Sequence, residues 1–173
     1  MVAAAQRLFA TGLLRGRSIA VAGCSPAPVA ETLVALGARV CRVDQSVIHD
    51  DGQLAERVRA AAPLHALVGG EEEVSLAATW AAVSTVAAEA FIPRGEGRII
   101  LLAAGPAADV VAAGLENLAR TLSVEWARFG ITAVAIATGA ATTDEQLAQV
   151  VAFLCSEAGA YYSGCRFDLG VSL

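Results

Sequence analysis

Residues 17–23, 24–37 and 38–44 read RSIAVAG, CSPAPVAETLVALG and ARVCRVD. The first is a short apolar run that ends on Gly23. The second carries Val29, Leu33 and Leu36 at helical spacing until Gly37 stops it, and the third alternates like a strand. A strand, a helix and a second strand in so short a stretch is the unit from which a parallel sheet is wound.

The same alternation continues downstream. QLAERVRAAA (53–62) reads as a helix, LHALVG (64–69) as a third strand and VSLAATWAAVSTVAAEAFI (74–92) as a long Ala-rich helix. RIILLAA (98–104) is apolar throughout, as suits a strand buried on both faces. In ADVVAAGLENLARTLSVEWARF (108–129) the residues Val111, Leu115, Leu118 and Leu122 mark one helical stripe, and Gly130 caps its end. ITAVAIAT (131–138) is a fifth strand, 144–156 a last helix and CRFDLG (165–170) a sixth strand. The expected fold is therefore α/β: a Rossmann-like, doubly wound parallel sheet in three α/β/α layers. It forms a single domain over residues 1–173, with a short helical extension at about 1–15.

Composition narrows the function classes. The chain has 173 residues, 56% hydrophobic and only 5% aromatic, so small side chains dominate its packing. Its net charge of -5 and its lack of any Arg or Lys run exclude a phosphate-backbone footprint, and no nucleic-acid partner is expected. No stretch reaches the roughly 18 uninterrupted apolar residues of a membrane span. The N-terminal segment is broken by Gln6, Arg7 and Thr11 and has no basic leader, so it reads as a helix rather than a targeting signal. Cys24, Cys41, Cys155 and Cys165 fit no metal or redox spacing, and four reduced thiols in a cytoplasmic protein are expected. No metal is expected either. His49, Asp50 and Asp51 read as a polar loop, and Glu71, Glu72 and Glu73 as acids favoured ahead of a helix. Cys24 reads as a small buried residue, His65 as a hydrogen-bonded structural histidine and Asp109 as a helix cap.

Four phrases in order carry a resemblance. GRSIAVAG followed by AETLVALGARVCRVD, then GEGRIILLAA, then LENLARTLSVEWARFGITAVAIATG, then VVAFLCSEAGAYYSGCRFDLG resemble successive parts of the short-chain dehydrogenase/reductase family. The resemblance implies a dinucleotide-binding sheet, a Thr-Gly-x-x-x-Gly-x-Gly turn and a catalytic Ser with a Tyr four residues before a Lys. The chain departs from each. Its turn is AGCSPAPV: Gly23 is kept, whereas Ala27 and Val29 stand at the next two glycine positions, and Pro26 and Pro28 have no N–H to donate. Asp44 stands where an acid would hold the adenosine ribose. With Glu125 aligned to the family's Val-Glu, Ala108 falls on the Tyr, Ala112 on the Lys and Ala103 or Ala104 on the Ser. One strand–helix unit and the substrate-covering loop after Gly139 are also expected to be missing.

The leading expectation is a pseudoenzyme: a non-catalytic subunit that assembles with an active member of the family, with NAD(P) held by the partner and none in this chain. Any oxidoreductase activity would then belong to the complex. Trp80, Val83, Val86, Leu115, Leu118, Leu122, Trp126, Tyr161 and Tyr162 are the expected interface, by resemblance to the family's pairing helices and tail. The alternatives are a homodimeric relic, or a stand-alone ketoreductase-like enzyme or ligand-binding protein that reuses the crevice through Ser25, Asp44, Asp109, Thr138, Thr142 and Thr143.

Overall fold

The structure, a computed structural model, describes residues 9–23, 25–44, 51–71, 76–103 and 108–170. The elements run β1 (Ser18–Gly23), α1 (Ala27–Ala35), β2 (Arg39–Val43), α2 (Asp51–Ala61), β3 (Ala66–Glu71), α3 (Leu76–Val86), β4 (Gly97–Ala103), α4 (Ala108–Glu125), β5 (Ile131–Ala137), α5 (Asp144–Cys155) and β6 (Arg166–Asp168). All six strands are parallel, in the order β2-β1-β3-β4-β5-β6. Chain order therefore reverses at β1, the topological switch point of a doubly wound sheet.

Parity along the strands sorts the core into two layers. Ala20, Leu67, Ile99, Leu101, Ala133 and Ala135 face one side with α2, α3 and α4, while Ile19, Val68, Ile100, Leu102, Val134 and Ile136 face the other with α1 and α5. On the first side β5 presents only Ile131 and three alanines, Ala133, Ala135 and Ala137. Methyl-sized residues there let α4 lie close against the strand. Each fully buried Leu or Ile contributes about 1.5–3 kcal/mol.

Elements joined by long-range bonds lock the two ends of the sheet. At the N-terminal end Arg98 donates from Nη1 to the carbonyls of Leu154 (3.5 Å), Cys155 (2.9 Å) and Ser156, closing the C-terminus of α5. At the C-terminal end Gly23 pairs with Gly70 across β1 and β3 and has φ of 71°. A Cβ at Gly23 would collide with the Gly70 carbonyl oxygen.

Several expectations change. Where the described residues overlap the expected N-terminal helix, 11–16 form a series of turns, because Gly12 and Gly16 both take φ of 78° and break the helical path. The third strand starts at Ala66 rather than residue 64. The long third helix runs on past α3 through a π-helical turn, Ala87–Phe91, to Arg94. Pro93 has no amide to return to the preceding turn, and the helix widens just ahead of it. Leu76–Arg94 is long and apolar enough to cross a bilayer by length and composition, with mean hydropathy 1.3, but one side of it is packed on the sheet. Asp109 lies inside the first turn of α4 instead of ahead of it. Four of the expected interface residues, Val83, Val86, Leu115 and Leu122, are at most 2% exposed and belong to the chain's own core. They face inward because they lie on the sides of α3 and α4 that cover β3, β4 and β5.

Gly23→Ala is expected to lower unfolding stability by about 2 kcal/mol or more, since it combines a left-handed backbone with a clash against a strand carbonyl. Urea denaturation measures the difference, and a midpoint unchanged from the parent would contradict this account of the turn.

Candidate functional site

In doubly wound sheets the ligand crevice lies beyond the C-terminal ends of the strands, at the switch point. Here that place is framed by the Gly23–Val29 turn, the end of β3, the start of α4 and the loop after β5.

The turn offers few donors. Pro26 is the N-cap of α1, with φ −53° and ψ 140° and no side-chain capping bond, and Pro28 lies in the first turn. Neither proline has an N–H, and Val29 N already donates to Pro26 O at 3.0 Å. A helix N-terminus cradles a pyrophosphate with several free amides, and this one has had three of them removed or spent. Val29 is fully buried in the second core layer with Leu33 and Val68. Val29 is therefore part of the contact between the helix and the strand. The residues present do not fit a dinucleotide pyrophosphate. Gly23 is accounted for by its close approach to Gly70 alone.

Ser25 Oγ is buried and has no hydrogen-bond partner. It lies near Gly70, which with Gly23, Gly69, Ala78 and Thr79 lines a narrow cavity of about 10 Å³. That is the room of a single water. Asp44 is exposed at the end of β2.

The three threonines of the loop after β5 are committed to structure. Thr138 donates from both N (3.1 Å) and Oγ1 (3.2 Å) to the carbonyl of Ala103. Thr142 Oγ1 accepts from Gly139 N at 2.9 Å and donates to Leu169 O at 3.0 Å. Thr143 caps α5 in a reciprocal box with Gln146. Gly139 lies so close to Gly170 that a Cβ would meet the Gly170 Cα. The strand-end loop and the C-terminal tail are thus latched together over the position where a substrate-covering loop was expected to be missing.

The positions read against a catalytic set carry no acid or base. Ala103 is fully buried and Ala112 is 1% exposed, both within the core layer under α4. The backbone of Ala108 opens α4, and Ala104 lies outside the described residues. One sequence signal went unread: all 12 basic residues of the chain are arginine, so there is no lysine anywhere to lower a tyrosine pKa. Of the tyrosines, Tyr161 is 91% exposed, and Tyr162 packs edge-on against Phe153 (5.7 Å) and Phe167 (5.3 Å) at the sheet border. Neither approaches the crevice through a described contact.

Cys24, His49, Asp50, Glu72 and Glu73 lie outside the described residues. Among the described residues no group of three metal-ligating side chains occurs. Cys155 is buried, and desolvation pushes its thiol up to about 12, which removes it as a nucleophile.

No protein-family model matches the sequence, and no curated protein matches it. Solved structures do match in fold. Hydroxysteroid dehydrogenase from Escherichia coli is 18% identical with a TM-score of 0.77, over 92% of this chain and 97% of that one. A short-chain dehydrogenase/reductase variant from Serratia marcescens is 21% identical with a TM-score of 0.72, over 90% of this chain and 96% of that one. BdcA, in a structure that contains NADPH, is 18% identical with a TM-score of 0.73, over 91% of this chain and 94% of that one. The fold is that of the short-chain dehydrogenases/reductases, and at these identities the likeness is one of fold.

Titration of the protein with NADH or NADPH, followed by nucleotide fluorescence, is expected to show no saturable binding in the micromolar range. Saturable micromolar binding would overturn the reading of the proline-bearing turn.

Proposed function

We propose that this chain is a non-catalytic subunit with a short-chain dehydrogenase/reductase fold, which assembles with an active enzyme of that type and stabilises it or shapes its substrate entrance. The observation that carries this reading is the content of the crevice: methyls at the acid–base positions, prolines at the phosphate turn, and threonines already bonded to backbone. General acid–base chemistry needs a titratable group within hydrogen-bond reach of the reacting atom, and these positions supply none.

An apolar seam supports the assembly half of the reading. Leu76 (43% exposed) on α3 touches α4 at Gly114, and Trp80 (47% exposed) stacks at 6.1 Å on the half-buried Trp126 just past α4. Leu118 on α4 is half-buried against the core layer. Two tryptophans and two leucines partly open to water on adjacent helices form a surface that association would cover. The nicotinamide cofactor of such a complex would be bound by the partner, and the location would be cytoplasmic, in keeping with free Cys41, Cys155 and Cys165. Self-association through the same seam is the competing arrangement.

Affinity purification of the tagged chain from its native cells, with mass spectrometry of stoichiometric partners, tests the proposal. Recovery of a short-chain dehydrogenase with an intact Tyr and Lys is the expected result; recovery of the chain alone would discard it. The double variant Ala108→Tyr/Ala112→Lys is expected to reduce no ketone in the presence of NADPH. Because Ala112 is buried, its lysine is expected to cost about 3 kcal/mol of stability. Measurable turnover by that variant, with stability checked by thermal denaturation, would show a working nucleotide site.

A further inference from the structure

Beneath the sheet, at the N-terminal ends of β1, β3, β4 and β5, lies a cavity of about 180 Å³ lined by Arg17, His65, Glu96, Arg98 and Thr132, among others. It is at the opposite end of the strands from the crevice, and nothing in the preceding reading depends on it.

Its polar groups converge with hydrogen-bonding capacity left over among the described residues. His65 Nδ1 accepts the Ser18 N–H at 3.0 Å, which fixes the neutral ring's proton on Nε2, and that N–H has no acceptor among the described residues. Arg98 uses Nη1 alone for the three carbonyls that end α5, and its Nε and Nη2 make no hydrogen bond among the described residues. Arg17 gives one nitrogen to Glu157 at 3.2 Å. The Thr132 hydroxyl makes no hydrogen bond within the described protein.

The charges are unbalanced. Glu96 is held by Arg94 through a 2.6 Å hydrogen bond. Counting the lining residues and their direct partners, Arg17, Arg94 and Arg98 face Glu96 and Glu157, leaving one positive charge. Burial, then the nearby Arg17 charge, draws the half-buried Arg98 below the ordinary guanidinium pKa. Burial, then Arg94 and Arg17, does the same to His65, with Glu96 opposing weakly. A guanidinium close enough to Arg98 to disfavour its charge, beside an imidazole N–H and a threonine hydroxyl, supplies the components of an anion cradle.

We propose that this cavity binds a small oxyanion through Arg17, Arg98, His65 Nε2 and Thr132. The volume accommodates such a group with a few waters.

The chain has only two histidines, His49 and His65, so the His65 ring is a direct reporter. Its imidazole resonances are followed by NMR while inorganic phosphate is added at pH 7 and constant ionic strength, with sodium chloride as the control and His49 as the internal reference. A saturable His65 shift with a dissociation constant on the order of 1 mM or tighter is expected. A rise in the His65 pKa at saturation should accompany it. A parallel acetate titration separates the sources: an equal response makes the bound group a carboxylate, and no response makes it a tetrahedral oxyanion. Arg17→Gln is expected to weaken binding about tenfold or more, and Thr132→Val severalfold. The proposal fails if neither anion moves His65 beyond the chloride control. It also fails if both variants, folded as judged by their spectra, bind phosphate as the parent does.

Discussion

The structure depends on β4 being apolar on both faces. Ile99, Leu101 and Ala103 close one core layer and Ile100 and Leu102 the other, and the strand is hydrogen-bonded to β3 on one side and β5 on the other. A parallel strand in that position has no solvated face, so every side chain must meet a helix. The helices follow from this requirement: α3 and α4 cover one side, and α5 crosses behind and is held at its end by Arg98, the second residue of the same strand. A single strand thus organises both layers and one of the two long-range closures.

That constraint also explains what the sequence disclosed. A run such as RIILLAA could hardly be anything but a doubly buried strand, and the alternation of such runs with Ala-rich segments was enough for the six strands and their three-layer arrangement. Facing was harder to read. With alanine on nearly every side of α3, an apolar stripe toward the sheet looks the same as one toward solvent, so Val83 and Val86 could not be told from Trp80 by period. The methyls of Ala103 and Ala112 were legible as such, but their burial in the core layer was not. The latch of Thr142 on Leu169 and the pairing of His65 with Ser18 join distant positions, for which no local pattern exists.

The two ends of the sheet have diverged in chemical character. At the C-terminal end, Thr138 and Thr142 are bonded to backbone, glycines bring strands and tail into contact, and the cavity beside Gly23 and Gly70 has the room of a single water. At the N-terminal end, arginine, histidine and threonine converge on a roomier cavity with unspent hydrogen-bonding capacity.

The border strand β2 adds a consequence of its own. Its outer edge has no neighbour in the sheet, and exposed strand edges are templates for pairing with another chain. Two of its five residues are arginines, both exposed: Arg39, anchored to the Ser18 hydroxyl and to the Ala61 and Ala62 carbonyls, and Arg42. A second copy approaching this edge would bring like charges together before any backbone bond could form. Resistance to fibril-like growth is therefore partly electrostatic, and it weakens as added salt shortens the reach of those charges.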